Sequence, residues 1–280
     1  MSNSVFQRGD FSDVKAQNSQ FGQTDISGSD FNNGEFQKTN FTNSNARGAT
    51  FDGANLEDAT FDGTELRDAS LKNTRLYQTL FSDTRINSNT DFGDKSAYED
   101  PDTDLGENYE DTSRFEAAAW VYRRLQDLHE ENAMSEKARE YHIRKEEAKR
   151  QEYRKNGEWF KWGVHTANYH LTEHGENLWQ VAKWSGITIG AGTVLYPLLG
   201  GLANAEGTHN IWSLSDPSAW DVALLFARSL YFSTVTFTTL GYGDYHPVGP
   251  TAKALAGVES LAGALLVALF VFVLGRRVAR

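Results

Sequence analysis

From Phe6 to Ile86 every fifth residue is apolar, and of these seventeen positions fifteen are Phe, Leu or Ile, Ala16 and Ala46 being the exceptions. Two places before each stands a small residue, such as Ser19 before Phe21 or Ala49 before Phe51. The other three positions are mostly polar. A period of five fits neither a 3.6-residue helix nor a two-residue strand, so the chain must turn after each unit and return to the same facing. The pattern predicts a solenoid whose interior is filled by large side chains alternating with small ones.

The period then changes. Phe115, Ala118, Tyr122, Leu125 and Leu128 fall at three- and four-residue intervals on one helix face, with Ser113 as N-cap and Glu116 three residues later. Residues 131–135 interrupt this pattern, and Ser135, Ala138, Tyr141 and Ala148 begin a second helix, giving an antiparallel hairpin over 113–157. The pair looks like a single tetratricopeptide-type unit, and a spacer packing on its neighbour is expected of it. Trp159, Trp162, Tyr169, Trp179 and Trp184 have the amphipathic rings that settle at a membrane–water boundary, so 158–183 reads as an interfacial amphipathic helix. His165, His170 and His174 lie in it; their spacings put only the last two on a common face, and they read as interfacial rather than metal-binding. Two apolar runs follow, 185–205 without a charge and 254–274 with Glu259 alone, each near the length that spans a hydrocarbon core.

Charge divides the chain at the same places. Among 280 residues, 27 basic against 38 acidic side chains leave a net charge of −11, which argues against a nucleic-acid binder. Residues 96–112 carry seven acids and no base, the composition of a solvated linker. The absence of cysteine excludes thiol catalysis, disulfides and Cys-ligated metals. No G-x-G-x-x-G follows a strand, no span repeats Arg at every third position, and no organic cofactor is implied.

The repeat over residues 4–88 resembles the pentapeptide-repeat family, which implies a right-handed quadrilateral β-helix with four units per coil. Seventeen units then make a rod of about four coils, roughly 20 Å long. A scaffold or docking role for a cytoplasmic protein partner is the expectation for this rod; mimicry of DNA, known among family members, is the weaker one, since nine Lys and Arg are scattered among its acids.

Between the apolar runs, a helix-length stretch from Trp220 to Phe237 leads into Thr238-Thr239-Leu240-Gly241-Tyr242-Gly243-Asp244. This segment resembles the selectivity filter of two-transmembrane potassium channels, with Leu240 where that family usually has Val. The resemblance implies a re-entrant pore helix and filter over about 218–245, flanked by spans over about 184–205 and 252–275 within a pore domain of 184–280. K⁺ would be held by the backbone carbonyls of Thr239, Leu240, Gly241 and Tyr242, with the Thr239 hydroxyl adding an inner ring. Gly241 and Gly243 allow the backbone angles that turn successive carbonyls one way. Thr238, Asp244, Arg228 and Glu259 are expected to support the filter, Glu259 bonding to pore-helix groups or to Arg228. Gly263, with Gly257 as competitor, matches the family's inner-helix hinge.

The whole is thus a mixed fold: a β-helix over 1–95, an acidic linker over 96–112, a helical connector, and an all-α two-transmembrane pore. One filter loop supplies a quarter of a ring, so a homotetramer in a lipid membrane is implied, conducting K⁺ passively and catalysing no reaction. A membrane-anchored repeat scaffold with a closed or vestigial pore is the alternative. No basic-apolar-small pattern follows Met1. Lys161 and Lys183 precede the first run, Arg276, Arg277 and Arg280 follow the second, and 206–221 hold no Lys or Arg. The positive-inside rule then puts both termini in the cytoplasm of a multi-pass cell-membrane protein.

Overall fold

In the computed structural model, which describes residues 4–103, 105, 109, 111–205, 207–213 and 218–278, the repeat forms a parallel β-helix. Its backbone bridges pair residues twenty apart, from Val5 with Asp25 to Glu65 with Arg85, so four five-residue units close one coil. Each unit turns through a left-handed residue two places after the large one, for example Asn33 (φ 55°), Asn43 (φ 55°) and Gly53 (φ 71°). Asn, Asp and Gly dominate there because they tolerate that region best. The turn closes with a bond such as that from the Ala54 N–H to the Phe51 carbonyl, 3.0 Å.

Inside, identical positions of successive coils stack. Phe21, Phe41, Phe61 and Phe81 form one column with ring centroids 5.4, 4.7 and 5.5 Å apart, and Phe11, Phe31 and Phe51 form another at 4.9 and 4.8 Å. From Thr24 on the small positions are buried too, and at Thr39, Thr64, Thr74, Thr79 and Thr84 the hydroxyl donates to a carbonyl twenty-three residues back, as from Thr64 to Phe41 and from Thr84 to Phe61, both at 2.7 Å. A small polar side chain is thereby satisfied in an apolar interior. Phe6, Phe11 and Ala16 are only half-buried, because no coil precedes theirs among the described residues.

At its other end the rod is capped. The coil spacing slips from twenty to twenty-one residues where Ser70 pairs with Asp91, and the extra residue lies in the turn Asn87 to Thr90, held by Asn87 N–H donating to the Thr90 hydroxyl at 3.1 Å. Helix α1 (Arg114–Glu131) starts at Ser113, whose hydroxyl accepts from the Glu116 N–H at 3.0 Å, and packs antiparallel on α2 (Ser135–Lys155). The pair supplies what a further coil would have. Asn132, just beyond α1, accepts from the Ile86 N–H and donates to the Thr84 carbonyl at 3.1 and 2.9 Å, and Arg124 donates to the Phe81 carbonyl at 3.0 Å. Phe92 closes the aromatic column between Phe81 and the buried His129.

In its described residues the acidic segment 96–112 is not the solvated linker its composition suggests. Ala97 and Tyr98 are buried in a short 3₁₀ turn, and the Tyr98 hydroxyl accepts from the Tyr77 N–H at 2.9 Å while donating to Glu57 at 2.8 Å. Arg75 donates to the same Glu57 oxygen at 3.0 Å. Burial foremost, then the Glu57 charge, drives the Tyr98 hydroxyl far above the usual tyrosine range. Tyr109 bonds to Asp58 at 2.7 Å, and Glu99 accepts from the Tyr122 hydroxyl. The two tyrosines of the segment outweigh its acidic composition here, because Tyr98 and Tyr109 pack their rings against Tyr77 of the rod and keep their hydroxyls paired.

The chain divides into two compact units between Thr166 and Ala167, inside α3 (Trp159–Thr172). This helix ends earlier than the 158–183 segment read as interfacial: Glu173, His174 and Gly175 take left-handed backbone, and α4 (Leu178–Leu199) begins at Asn177, whose side chain accepts from the Trp179 N–H at 2.9 Å. His170 and His174 therefore share no helix face. Trp184 donates through its ring nitrogen to the His170 carbonyl at 2.7 Å.

The first apolar run is displaced likewise. Helix α4 stops at Leu199 rather than near 205, since Gly200 (φ 140°) and Gly201 (φ 85°) break it; a Cβ on Gly200 would lie 2.4 Å from the Val248 carbonyl oxygen, and one on Gly201 2.3 Å from that of His209. Residues beyond form a small antiparallel sheet absent from the sequence expectation, in which β1 (Leu202–Asn204) lies between β2 (Gly207–His209) and β3 (His246–Pro247). Helix α5 (Ala219–Phe237) starts in a capping box formed by Ser218 and Asp221. Helix α6 (Gly249–Val278) completes the unit. Helices α4, α5 and α6 pack mutually through two apolar clusters, one around Val181, Phe237, Leu266 and Val273, the other around Tyr196, Leu202, Phe232 and Ala252.

Candidate ion-conducting site

The C-terminal end of α5 runs straight into the T-L-G-Y-G segment. Thr238 caps the helix, its hydroxyl donating to the Thr234 carbonyl at 2.8 Å, and the N–H groups of Thr239 and Leu240 still reach back to Thr236 and Val235, both at 3.1 Å. Beyond this the backbone alternates: Thr239 (φ 57°), Gly241 (φ 59°) and Gly243 (φ 79°) are left-handed, while Leu240 and Tyr242 between them are not. At Thr239 this conformation carries a steric cost of about 1 kcal/mol that glycine escapes. A left-handed residue at every second position turns successive carbonyls the same way, where an extended strand would alternate them.

The segment is uncovered within one chain. Leu240 and Tyr242 are 61% and 69% exposed, and a Cβ on Gly241 or Gly243 would meet nothing within 4 Å. One side of it is braced from α5, where Tyr231 turns its hydroxyl toward the Asp244 carboxylate and its ring edge toward Tyr245, centroids 6.0 Å apart.

Behind α5, Glu259 of α6 is 3% exposed. Its Oε2 accepts from the Tyr196 hydroxyl of α4 at 2.5 Å, and its Oε1 is hydrogen-bonded to the Ser233 hydroxyl of α5. Ser233 also lies 2.9 Å from the Ile189 carbonyl of α4. Of the two partners expected for Glu259 the structure thus brings up the pore-helix group, and Arg228 is elsewhere: its guanidinium lies 3.0 Å from His209 Nδ1, on the small sheet. The helical phase explains this, since Ser233 faces α4 and α6 five residues beyond Arg228, about 140° round the helix. Sequence reasoning missed Tyr196 as a partner; a lone Tyr in an apolar run was the available signal.

Helix α6 is continuous through both glycines named as hinge candidates. Gly263 abuts α5 so closely that a Cβ there would sit 2.0 Å from the Phe237 carbonyl oxygen, whereas a Cβ on Gly257 would meet nothing within 4 Å. The Gly263 position is accounted for by packing.

Comparison with known proteins falls on the same two parts. Residues 191–280 match a family model described as an ion channel, and 34–73 and 47–83 match pentapeptide repeats in eight copies. The matches thus fall on the repeat segment and on the C-terminal region separately, and neither of the two families is one of enzymes. Protein LctB of Geobacillus stearothermophilus is 29% identical over 96 residues, which are 34% of this chain and 68% of that protein. Among solved structures, a pentapeptide repeat protein of the Arabidopsis thaliana thylakoid lumen is 20% identical over 38% of this chain and 71% of its own, with a TM-score of 0.22. A pentapeptide repeat protein from Nostoc is 27% identical over 32% and 74%, with a TM-score of 0.23. Among the described residues one helix, Gly249–Arg276, is long and apolar enough by composition to cross a membrane, its mean hydropathy reaching 2.3.

Proposed function

We propose that this chain is one subunit of a homotetrameric, K⁺-selective channel, with a cytoplasmic pentapeptide-repeat rod that regulates or anchors it. The observation that carries the reading is the alternation of left-handed backbone at Thr239, Gly241 and Gly243 through the exposed T-L-G-Y-G segment. Four such segments around an axis would present the carbonyls of Thr239, Leu240, Gly241 and Tyr242, with the Thr239 hydroxyl, as rings of oxygens replacing the hydration shell of K⁺. Neighbouring copies would cover Leu240 and Tyr242. Helix α5 ends at the filter, so its negative dipole end faces the cation path and disfavours anions.

In this reading α4 and α6 are the two spans. The 22 residues of α4 extend about 33 Å at the helical rise, enough for a hydrocarbon core even though Lys183 falls in its second turn. The rod, its cap and both termini lie on the cytoplasmic side, and conduction follows the electrochemical gradient. Ion flux into liposomes holding the purified full-length protein tests this. K⁺ flux well above Na⁺ flux, lost or made unselective by Tyr242→Ala, is the expected result. If the full chain is silent, deletion of residues 1–158 separates two outcomes: recovered flux means the cytoplasmic part holds the pore shut, and continued silence means an anchored scaffold with a vestigial pore.

A further inference from the structure

We propose that Glu259 stands in the folded protein as an uncharged carboxylic acid, and that as such it pins α6 to α4 and α5 and positions the base of the filter. The inference rests on the reading of this unit as a pore. It begins with a count of hydrogens. Three oxygen contacts converge on the buried cluster: Tyr196 hydroxyl to Glu259 Oε2, Ser233 hydroxyl to Glu259 Oε1, and Ser233 hydroxyl to the Ile189 carbonyl. Tyr196 has one hydrogen and Ser233 one, so two hydrogens must serve three contacts if the carboxyl is ionised. A proton on Glu259 Oε1 supplies the third: Glu259 donates to Ser233, Ser233 to Ile189, and Tyr196 to Glu259 Oε2.

The surroundings agree with this count. Among the described residues no cation is hydrogen-bonded to Glu259, and a carboxylate 3% exposed with two neutral donors would carry an uncompensated charge into an apolar helix bundle. The site also has no slack. A Cβ on Gly192 of α4 would fall 2.5 Å from the Ser233 hydroxyl and 2.6 Å from Glu259 Oε1, so the absence of a side chain at 192 lets the three helices meet. Ser233 is six residues before Thr239, and Gly263, one helical turn beyond Glu259, is seated on the Phe237 carbonyl. The acid and the glycine hold α6 against the last turns of α5 at two levels, and the filter begins where α5 ends. Glu259 is a positioning residue here and touches no ion.

Infrared spectroscopy of the full-length tetramer in lipid, together with flux, tests the proposal. The wild type should show a protonated-carboxyl C=O stretch that is missing from Glu259→Gln and is raised in frequency in Ser233→Ala, where the acid loses its acceptor. Glu259→Gln, whose amide donates and accepts as the neutral acid does, should keep K⁺-selective flux within about twofold. Glu259→Ala, which leaves the buried Tyr196 hydroxyl without an acceptor and Ser233 with the Ile189 carbonyl alone, should lose it about tenfold or more. A wild type that conducts K⁺ but lacks the band, or a Glu259→Gln variant as damaged as Glu259→Ala, would overturn the proposal. A wild type that never conducts breaks the channel reading instead, and the band still decides the state of Glu259.

Discussion

In the rod, left-handed backbone recurs at every fifth residue; in the filter segment it recurs at every second. Asn33, Asn43 and Asp58 in the first and Thr239 in the second adopt nearly the same φ, 55°, 55°, 59° and 57°, yet what the chain does with the neighbouring groups differs. Most rod turns are closed by their own hydrogen bond, and the flanking N–H and C=O groups are taken up by the coils before and after. Around the filter, among the described residues, no backbone N–H donates to the carbonyls of Thr239 through Tyr242. One conformational device thus serves closure when its polar groups are consumed locally and display when they are left over. Leftover carbonyls become costly once water is excluded from them, so in the proposed tetramer bound ions would have to supply the partners that the rod finds in its own coils.

The hardest test of this contrast is at the filter. Gly243→Ala puts a Cβ on a residue at φ 79° and should reduce K⁺ flux in liposomes by about a hundredfold or more, the range in which misplacing a preorganised site costs function, with the thermal unfolding of the rod unchanged. Next in size is the converse change. Phe41 is fully buried in the stacked column, and Phe41→Ala should destabilise the rod by about 3–5 kcal/mol in thermal unfolding followed by circular dichroism, while K⁺ selectivity at low temperature stays intact. Loss of selectivity in that variant would mean that the two regions are coupled more tightly than their separate polar accounts require.

A smaller effect is expected at the cap. Burial holds His129 below its ordinary value of 6.5, so the folded state takes up its proton later than the unfolded chain does. The cap is at full strength above that ordinary value and weakens as pH falls from there toward the lowered folded value. His129→Gln should remove that part of the pH dependence of rod unfolding. Smallest is Arg47→Ala. Its side chain is 64% exposed in an ion pair with Asp68, and solvent screening leaves no measurable change in unfolding temperature.

How much of this was legible in the sequence follows from how local each determinant is. The repeat was readable because every unit has the same surroundings, so one rule, large every fifth and small two before, holds from Ser19 to Ile86. It weakens at Phe6 and Phe11, where the surroundings lack a coil on one side. The acidic segment misled because composition averages over residues, and Tyr98 and Tyr109 act one at a time. The small sheet left no pattern, its strands being two or three residues long and placed by Gly200, Gly201 and Gly207. For Glu259 the sequence announced a costly residue; its partners Ser233 and Tyr196 depended on the mutual phase of three helices, which periodicity along one helix does not contain.

The coil count has a further consequence. Because four units return the chain to its starting face, the rod keeps an angle as well as a length. Adding or removing twenty residues would move the α1 and α2 cap along the axis by about 4.8 Å and leave its bearing nearly unchanged; adding or removing five would swing it by roughly a quarter-turn. The extra residue between Asn87 and Thr90 shifts the register once, at the last coil, so the dial is read out there and nowhere earlier. A rod of this kind behaves as a screw gauge, in which height and heading are chosen independently by counting residues.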